Sequence, residues 1–313
     1  MASSFPNDVY LTSYMRPEMT ESSIREVLNW SSLNKLIVIV DGLRAGAAET
    51  EKSWRDQTIR IAEKYCNENK KVDLWVYDSN PGITQHTMRI QGRALESGFS
   101  GMWLEEDFRL DLESYSSIAS EVFEKDTGRP LLLSAYSHFN HPRESTQKIK
   151  SNLFLPLWGM TFNETFYNLI NRVWNDKKFD ADVVSKAIDS VFPDSKYGER
   201  IYKEKVTNFW TQYSSWGFKN SNRWDAVANY ALWTQSEFSH TTVQRYAHDL
   251  SFKDSRGMNP RIEPEPVTNH KLSNVSFEGN NFCLDCENWG SRIERRLSRR
   301  LAASVKYRLN SRH

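Results

Sequence analysis

The stretch Leu36-Ile37-Val38-Ile39-Val40-Asp41-Gly42 decides the fold, because five apolar β-formers in a row are stopped by an aspartate and a glycine. A short and fully apolar run is typical of a strand that is buried on both faces, as in a parallel sheet. Amphipathic helical patterns lie on either side of it, at residues 20–30 and 49–65. The sequence therefore predicts a strand between two helices.

Strand-like and helix-like runs alternate through the first third of the chain. Further strands are predicted at residues 9–12, 72–77 and 101–104, and a further helix at residues 84–97. The helix after the first strand is predicted to begin with Thr20 as its cap. Alternation of this kind predicts an α/β fold, a Rossmann-like mixed, mostly parallel sheet flanked by helices.

The second half of the chain is less regular. Strands are predicted at residues 130–136, 153–157 and 241–246, and helices at residues 165–174, 181–191 and 223–234. A linker-like stretch at residues 260–266 contains several prolines, so the segment after it is predicted to be an appendage.

Composition and charge exclude several classes of protein. Three cysteines are too few for a disulfide framework, which fits a reducing compartment. The sequence has no apolar run of about eighteen residues and no secretory signal, so we expect a cytoplasmic protein. The net charge of +1 conceals a basic tail, with eight Lys or Arg against two Glu in residues 287–313. Since the rest is acidic and has no nucleic-acid motif, we expect no nucleic-acid partner.

Four polar clusters follow the predicted strands, at residues 13–16, 41–42, 78–80 and 105–107. The carboxyl ends of parallel strands meet at one edge of a sheet, which is where such folds bind ligands. Eleven tryptophans and thirteen tyrosines offer flat faces that stack on sugars and bases, although filling the core is an alternative role. We expect the four clusters to form one site.

The acidic run Glu105-Glu106-Asp107 is the strongest local signal for that site. Carboxylates with this spacing after a strand can share one hard cation, Mg²⁺ or Mn²⁺, which also takes oxygens from a diphosphate. The metal then acts as a Lewis acid on the leaving group. A solvated acidic loop is the alternative interpretation.

Two weaker signals follow the second and third strands. The Asp41 carboxylate can accept hydrogen bonds from a nucleobase or ribose, and Gly42 permits close approach of the chain. The helix that begins near Thr84 can present its N-terminus to phosphate oxygens, and Arg89 and Arg93 add positive charge. An ordinary turn is the alternative at Asp41.

The order, spacing and chemistry of these residues resemble the GT-A fold, especially the family-2-like inverting glycosyltransferases. In that family the first strand ends in a polar turn, the second ends in an Asp that reads the nucleoside, and a fourth carries a DxD metal motif. The matching positions are residues 12–17, Asp41 and residues 105–107, with Glu105 in place of the usual first Asp. The resemblance covers residues 8–260.

The resemblance implies a site for a nucleotide-sugar donor and a divalent metal, Mn²⁺ or Mg²⁺. The implied metal ligands are Glu105, Asp107 and His248. The implied donor contacts are Thr12, Ser13, Arg16, Asp41, Asn80, Thr84, Arg89, Glu105 and Glu106.

The resemblance also implies an acceptor side in the second half. Trp158 and Gly159 resemble a turn beside the acceptor. Inverting transfer needs a base that takes the proton of the acceptor hydroxyl, and Asp225 at a helix start resembles that base, with Glu164 as its competitor. Either carboxylate can instead cap its helix or stabilise the helix dipole.

These features imply a GT-A domain at residues 1–260, with a nucleotide-sugar-binding half at 1–125 and an acceptor-binding half at 126–260. The implied reaction is metal-assisted transfer of a sugar, with inversion, from an NDP-sugar, preferably UDP-linked, to a hydroxyl of a saccharide or glycolipid. A sugar-nucleotide nucleotidyltransferase is one alternative, opposed by the lack of glycine in residues 13–17. A non-catalytic sugar- or nucleotide-binding scaffold is the other, favoured by Glu105.

Residues 261–313 are predicted to be a linker and a basic C-terminal helical extension. Apolar residues recur every fourth position over residues 291–309, with arginines between them. Such a helix can lie on an anionic membrane surface, at the inner face of a membrane, or dock on protein instead. Cys283 and Cys286 have the spacing of half a zinc site, and the sequence contains no second pair to complete it.

Overall fold

The computed structural model describes residues 7–97, 101–125, 128–135, 149–152, 159–191, 197–219, 223–242, 247–249 and 282–283. Its first elements are β1 (Asp8–Ser13), α1 (Pro17–Leu28), β2 (Lys35–Val40), α2 (Glu49–Glu68), β3 (Val72–Val76), α3 (Ile83–Glu96) and β4 (Gly101–Glu105). These bounds confirm the predicted strand and helix alternation.

The other described elements form the second half of the fold. They are β5 (Phe108–Leu110), α4 (Leu112–Glu124), β6 (Leu132–Ser134), β7 (Ile149–Asn152), β8 (Met160–Phe162), α5 (Glu164–Asp176), α6 (Ala181–Val191), α7 (Tyr197–Lys219), α8 (Trp224–Trp233), β9 (Ser239–Thr242), β10 (Ala247–Asp249) and β11 (Phe282–Cys283).

A nine-stranded sheet runs in the order β11-β7-β9-β6-β8-β4-β1-β2-β3. The strands β3, β2, β1 and β4 are parallel neighbours, whereas β8 runs antiparallel to both β4 and β6. A separate ribbon joins β5 to β10. The predicted α/β fold with a mostly parallel, mixed sheet is thereby confirmed.

The central strand β2 is buried on both faces, as its apolar run predicts. Ile37 and Ile39 pack into one apolar layer with α3, α5 and α8, while the alternate residues Leu36, Val38 and Val40 pack into the other with α1 and α2. All five are at most 3% exposed. Burial of such side chains contributes roughly 1.5–3 kcal/mol each, so β2 fixes the middle of the sheet.

Helix α1 begins earlier than the sequence predicts. Pro17 occupies its first turn and Arg16 precedes it, whereas Thr20 lies inside the helix and donates its hydroxyl to the Arg16 carbonyl (2.9 Å). Proline is favoured at a first helical position, because its missing amide has no partner there anyway. The predicted cap at Thr20 is therefore wrong.

The second half departs further from the prediction. Helix α7 was not predicted, and β7 precedes the strand predicted at residues 153–157, which lies outside the described residues. The two residues of β11 pair in parallel with β7, so part of the predicted appendage joins the sheet.

The basic segment 291–309 and Cys286 lie outside the described residues. Within the described ranges, no helix has the length and apolar character needed to cross a bilayer.

Candidate functional site

Backbone hydrogen bonds tie the carboxyl ends of β1, β2 and β4 together at one edge of the sheet. The Asp41 amide donates to the Ser13 carbonyl (2.9 Å), and the Glu106 amide donates to the Thr12 carbonyl (3.0 Å). The Thr12 hydroxyl donates to the Leu104 carbonyl (3.0 Å), and the Ser13 side chain is buried. The structure thus brings these polar segments together. The Thr12 hydroxyl bonds within this edge, whereas the Ser13 hydroxyl contacts that of Thr20 in α1.

Asp41 lies in this edge directly after β2. Its carbonyl accepts from Nε of Arg55 (2.7 Å), and Nη2 of Arg55 donates to the Tyr77 carbonyl (2.7 Å). Burial raises the pKa of Asp41 to about 7, the charge of Glu106 adds to the rise, and Arg89 and Arg55 oppose it. Because Glu106 affects this pKa, Asp41 and the acidic turn belong to one electrostatic site.

His86 of α3 contacts the Asp41 carboxylate through Nε2. Arg89, one turn further on, lies 2.9 Å from Nδ1 of the same ring and stacks over the Tyr77 ring at 4.0 Å. Burial lowers the pKa of His86 to about 4, and the charge of Arg89 lowers it too. The imidazole is therefore neutral near pH 7. Arg89 itself lies on the exposed side of α3, where it was predicted to add positive charge.

The loops after β2 and β3 touch at Gly42. A β-carbon on Gly42 would lie 2.3 Å from the backbone of Ser79, so a residue without a side chain is required there. Leu43 forms a parallel bridge with Ser79. Asn80 accepts from the Gly82 amide (2.9 Å), so this predicted donor contact supports the turn that leads into α3.

Arg16 lies across the acidic turn that follows β4. Its Nε donates to Glu106 Oε1 (2.9 Å), and its Nη1 donates to Asp107 Oδ2 (2.7 Å). Both carboxylate side chains are only 6% exposed, and Arg16 is 15% exposed. These charge-assisted bonds join the start of α1 to the turn.

Glu106 is the most deeply buried residue of this turn. Burial raises the pKa of Glu106 to about 7, Arg16 opposes the rise and Asp107 adds to it. Its carbonyl accepts from the Ser23 hydroxyl (2.8 Å), and Arg109 donates to that same hydroxyl (2.6 Å). The turn is thereby fixed to α1 by side-chain and backbone contacts.

The described side chains do not form a ready site for a divalent cation. Among them, no three His, Cys, Asp or Glu groups lie close enough together to hold a metal ion. A cation bound between Glu105 and Asp107 competes with Arg16 for Asp107. The described side chains therefore do not by themselves assemble the predicted metal site.

His248, the third predicted metal ligand, lies in the ribbon strand β10. The register pairs it with Arg109 of β5, two residues after Asp107. The side chain of His248 lies outside the described part.

Gly159 precedes β8 at the same edge of the sheet as Asp41. It has φ 63°, and its carbonyl accepts from the Ala135 amide (2.7 Å). Trp158, the predicted acceptor wall, lies outside the described residues.

Asp225 lies in the first turn of α8, close to the start of α3. The Arg223 amide donates to Thr84 Oγ1 (3.2 Å), which joins the two helix starts. Tyr213 of α7 donates its hydroxyl to Asp225 Oδ2 (2.7 Å). Burial raises the pKa of Asp225, although the Tyr213 hydrogen bond lowers it. A carboxyl with a raised pKa suits proton transfer near neutral pH, whereas the fully buried Thr84 serves the helix junction.

Glu164, the competing base, lies at the opposite edge of the sheet. Met160 of β8 pairs antiparallel with Trp103 of β4, so β8 ends where β4 begins. Glu164 follows as the exposed first residue of α5, and Asn163 caps that helix by accepting from the Phe166 amide (2.9 Å). The structure does not bring Glu164 to the edge that carries Asp41.

Three contributing side chains are missing from the sequence prediction: Arg55, His86 and Tyr213. His86 lies three residues before Arg89 on a predicted helix, and this spacing was an available signal. Arg55 acts on backbone carbonyls, and Tyr213 belongs to a helix that was not predicted. No motif or spacing in the sequence indicates a role in the site for either residue.

The chain matches no protein-family model, and no curated protein matches it. Thirty-three chains of solved structures do match. One is the mannosyltransferase PcManGT from Pyrobaculum calidifontis, described in complex with GDP-Man and Mn²⁺, with a TM-score of 0.34 and 12% sequence identity. The match covers 53% of this chain and 45% of that protein.

Proposed function

We propose that the chain is a glycosyltransferase that moves a sugar from a nucleotide-diphosphate sugar to an acceptor hydroxyl. The observation that carries the proposal is one edge of the sheet. There Asp41 and the acidic turn share an electrostatic site, and the start of α8, with Asp225, is joined to the start of α3. A nucleoside-binding carboxylate, a diphosphate region and a base are the three parts that such a transfer needs.

The proposed donor is a UDP-sugar, bound in a GT-A arrangement. Asp41 accepts hydrogen bonds from the nucleoside, and its side chain keeps 23% of its surface exposed for this purpose. The Arg89 guanidinium stands beside the same site. The loop of residues 78–80 borders it, held close to Asp41 by the contact between Ser79 and Gly42.

The proposed cation at the leaving diphosphate is Arg16. A guanidinium carries five N–H donors, and the bonds of Arg16 to the described carboxylates use Nε and Nη1. Nη2 therefore remains to meet a phosphate oxygen. A divalent metal, as the family resemblance implies, would have to displace Arg16 from Asp107, since the described side chains do not otherwise form a site for it.

The proposed base is Asp225. As the acceptor oxygen bonds to the anomeric carbon, its proton passes to Asp225, and the bond from that carbon to the diphosphate oxygen breaks with its electrons leaving on the diphosphate. Attack from the face opposite the leaving group inverts the anomeric configuration. Tyr213 orients the carboxylate through its 2.7 Å hydrogen bond.

The proposed acceptor is a saccharide, free or lipid-linked. A lipid-linked acceptor would suit the basic segment 291–309, which has the composition of a helix that lies on an anionic membrane surface. Gly159 and Trp158 remain proposed acceptor contacts. The domain division at residues 125 and 260 is likewise proposed, although strands from both halves share one sheet.

The test is thermal unfolding with UDP, GDP, dTDP and CMP, each with and without Mn²⁺, followed by assays of nucleotide release from the matching sugar donors. A ligand that binds only the native state raises the midpoint of unfolding. At one hundred times its Kd, it adds about 2.7 kcal/mol to the free energy of unfolding. We expect one nucleotide to do so, and Asp41→Ala to abolish the shift. Absence of a shift with all four would contradict the proposal and favour a scaffold protein.

A further inference from the structure

His86 is the side chain that connects the Asp41 carboxylate to the body of the protein. The contact joins His86 Nε2 to Asp41 Oδ1. Both atoms are buried, and neither makes a hydrogen bond of ordinary geometry with a described residue, so each is the other's polar neighbour. His86 is 6% exposed, whereas Asp41 is 23% exposed. Oδ1 of Asp41 thus faces His86 in the interior, and Oδ2 is the oxygen that can meet a ligand.

Arg89 determines which nitrogen of His86 carries the proton. Arginine has only N–H donors and stays charged in proteins, so Nδ1 of His86 must accept the 2.9 Å bond from Arg89 Nη2. The ring proton then lies on Nε2, the nitrogen that contacts Asp41 Oδ1. A neutral imidazole in this tautomer is therefore a donor to Asp41, and the carboxylate is held in one orientation.

Arg89 is itself held in place. Its Nη2 also donates to the Ser79 carbonyl (3.1 Å), and its guanidinium stacks on the Tyr77 ring, 4.0 Å from the centroid. The His86 ring meets the same tyrosine edge-on, with centroids 5.1 Å apart. The chain from Arg89 through His86 to Asp41 is therefore fixed at both ends.

We infer that His86 is a positioning residue for nucleotide binding: with its tautomer set by Arg89, it holds Asp41 so that Oδ2 meets the nucleoside. The inference rests on the proposed function for the identity of the ligand. The tautomer and the hydrogen bond do not depend on that function. His86 touches no ligand in this arrangement, and its effect passes through Asp41.

The first test reads the tautomer directly by NMR of ¹⁵N-histidine-labelled protein. The chain has seven histidines, so the His86 signals are assigned by their loss in His86→Gln. We expect the proton on Nε2 near pH 7. Arg89→Met should raise the fraction with the proton on Nδ1, whereas the matched control Arg93→Met, which removes a guanidinium stacked on Trp75 at 4.0 Å, should leave it unchanged. A proton on Nδ1 in the wild type would overturn the inference.

The second test measures the affinity of the nucleotide that stabilises the wild-type protein most, by titration calorimetry. His86→Leu keeps the volume and loses the donor, so we expect affinity to fall about tenfold, the scale of one hydrogen bond to a charged group. His86→Gln restores an N–H at the same reach, so its affinity should return to within about threefold of wild type.

The outcomes separate the inference from the proposed function. Wild-type affinity in His86→Leu would mean that His86 only fills space, and equal weakening in His86→Leu and His86→Gln would mean that the missing N–H donor is not the cause of the loss. Either result overturns the positioning role. Wild-type protein that binds none of the four nucleotides would refute the proposed function and, with it, the ligand of this inference. The NMR result would still decide whether His86 donates to Asp41.

Discussion

At the scale of single residues, Asp225 is the side chain whose chemistry is most open to test. Its buried carboxyl, with a raised pKa, is proposed to take the acceptor proton. Asp225→Asn keeps the shape and removes the base, so we expect sugar transfer to fall by about 10²–10⁴-fold while the stabilisation by nucleotide is retained. Turnover with the identified donor measures the first effect, and thermal unfolding measures the second.

Glu164 offers a matched control for this prediction. It is also an acidic residue in the first turn of a helix, but it lies at the opposite edge of the sheet. Glu164→Gln should leave turnover within about twofold of wild type, as is usual for an exposed surface change. Loss of transfer in Glu164→Gln with normal transfer in Asp225→Asn would reverse the assignment of the base.

Glu106 should give the protein a stability that depends on pH. Its pKa is raised by burial to about 7 from an ordinary value of 4.5, so the folded state binds this proton more tightly than the unfolded chain does. The resulting stabilisation is fully present below about pH 4.5 and is lost as the pH rises through 7. Relative to Glu106→Gln, the wild type should therefore lose thermal stability between pH 5 and 8.

The measurement is the midpoint of thermal unfolding for both proteins at several pH values. Glu124→Gln, at the exposed end of α4, serves as control and should run parallel to wild type. A gap between wild type and Glu106→Gln that stays constant from pH 5 to 8 would show that Glu106 ionises as it does in the unfolded chain.

At the scale of elements, Arg16 joins α1 to the turn between β4 and β5. Arg16→Met leaves Glu106 and Asp107 without their shared cation, and removal of one partner of a buried ion pair costs about 3–5 kcal/mol. We expect Mn²⁺ alone to raise the unfolding midpoint of this variant, because the carboxylates become available to a hard cation. The wild-type midpoint should respond much less.

Arg25→Met is the control for that experiment, since Arg25 lies on the exposed face of the same helix. It should be close to wild type in stability and in its response to Mn²⁺. Equal stabilisation of wild type and Arg16→Met by Mn²⁺ without nucleotide would mean that Arg16 does not compete with the metal ion for the acidic turn. The predicted metal site would then be supported.

The loops after β2 and β3 depend on Gly42 for their contact. Gly42→Ala would place a β-carbon 2.3 Å from the Ser79 backbone, so the two loops must separate. We expect a loss of about 1–3 kcal/mol, typical of overpacking, in the free energy of unfolding by urea, together with weaker nucleotide binding. Ala45→Ser, exposed in the same loop, should change neither quantity.

At the scale of the whole molecule, the basic segment 291–309 is expected to place the protein on an anionic surface. The full chain should sediment with vesicles that contain phosphatidylserine and not with vesicles of phosphatidylcholine alone, since each Lys or Arg near such a surface contributes about 1 kcal/mol. Arg295→Glu combined with Arg299→Glu should abolish sedimentation and leave nucleotide binding intact. Sedimentation that survives the double change would exclude an electrostatic surface contact by this segment.

The order of the first elements was predictable because their patterns are local. A run such as Leu36 to Val40 is buried on both faces wherever it lies in a parallel sheet, and the polar residues that follow such strands must share its carboxyl edge. The strands β1 to β4, the position of Asp41 and the place of the acidic turn therefore followed from the sequence alone. The helix start at Pro17 was missed because the Thr20 cap was preferred to a proline at the first position.

Tertiary structure alone decided which polar groups meet. The sequence places Arg16 and Asp107 ninety-one positions apart and Tyr213 on a helix without a clear pattern, so their pairings with Asp107 and Asp225 could not be derived from spacing. The antiparallel direction of β8 sent Glu164 to the far edge and left Asp225 near Thr84. Local sequence determines strands, helices and the residues at their ends, because these depend on neighbouring residues. Partners across the fold depend on how the elements pack, and so does the choice between a metal ion and Arg16 at the acidic turn.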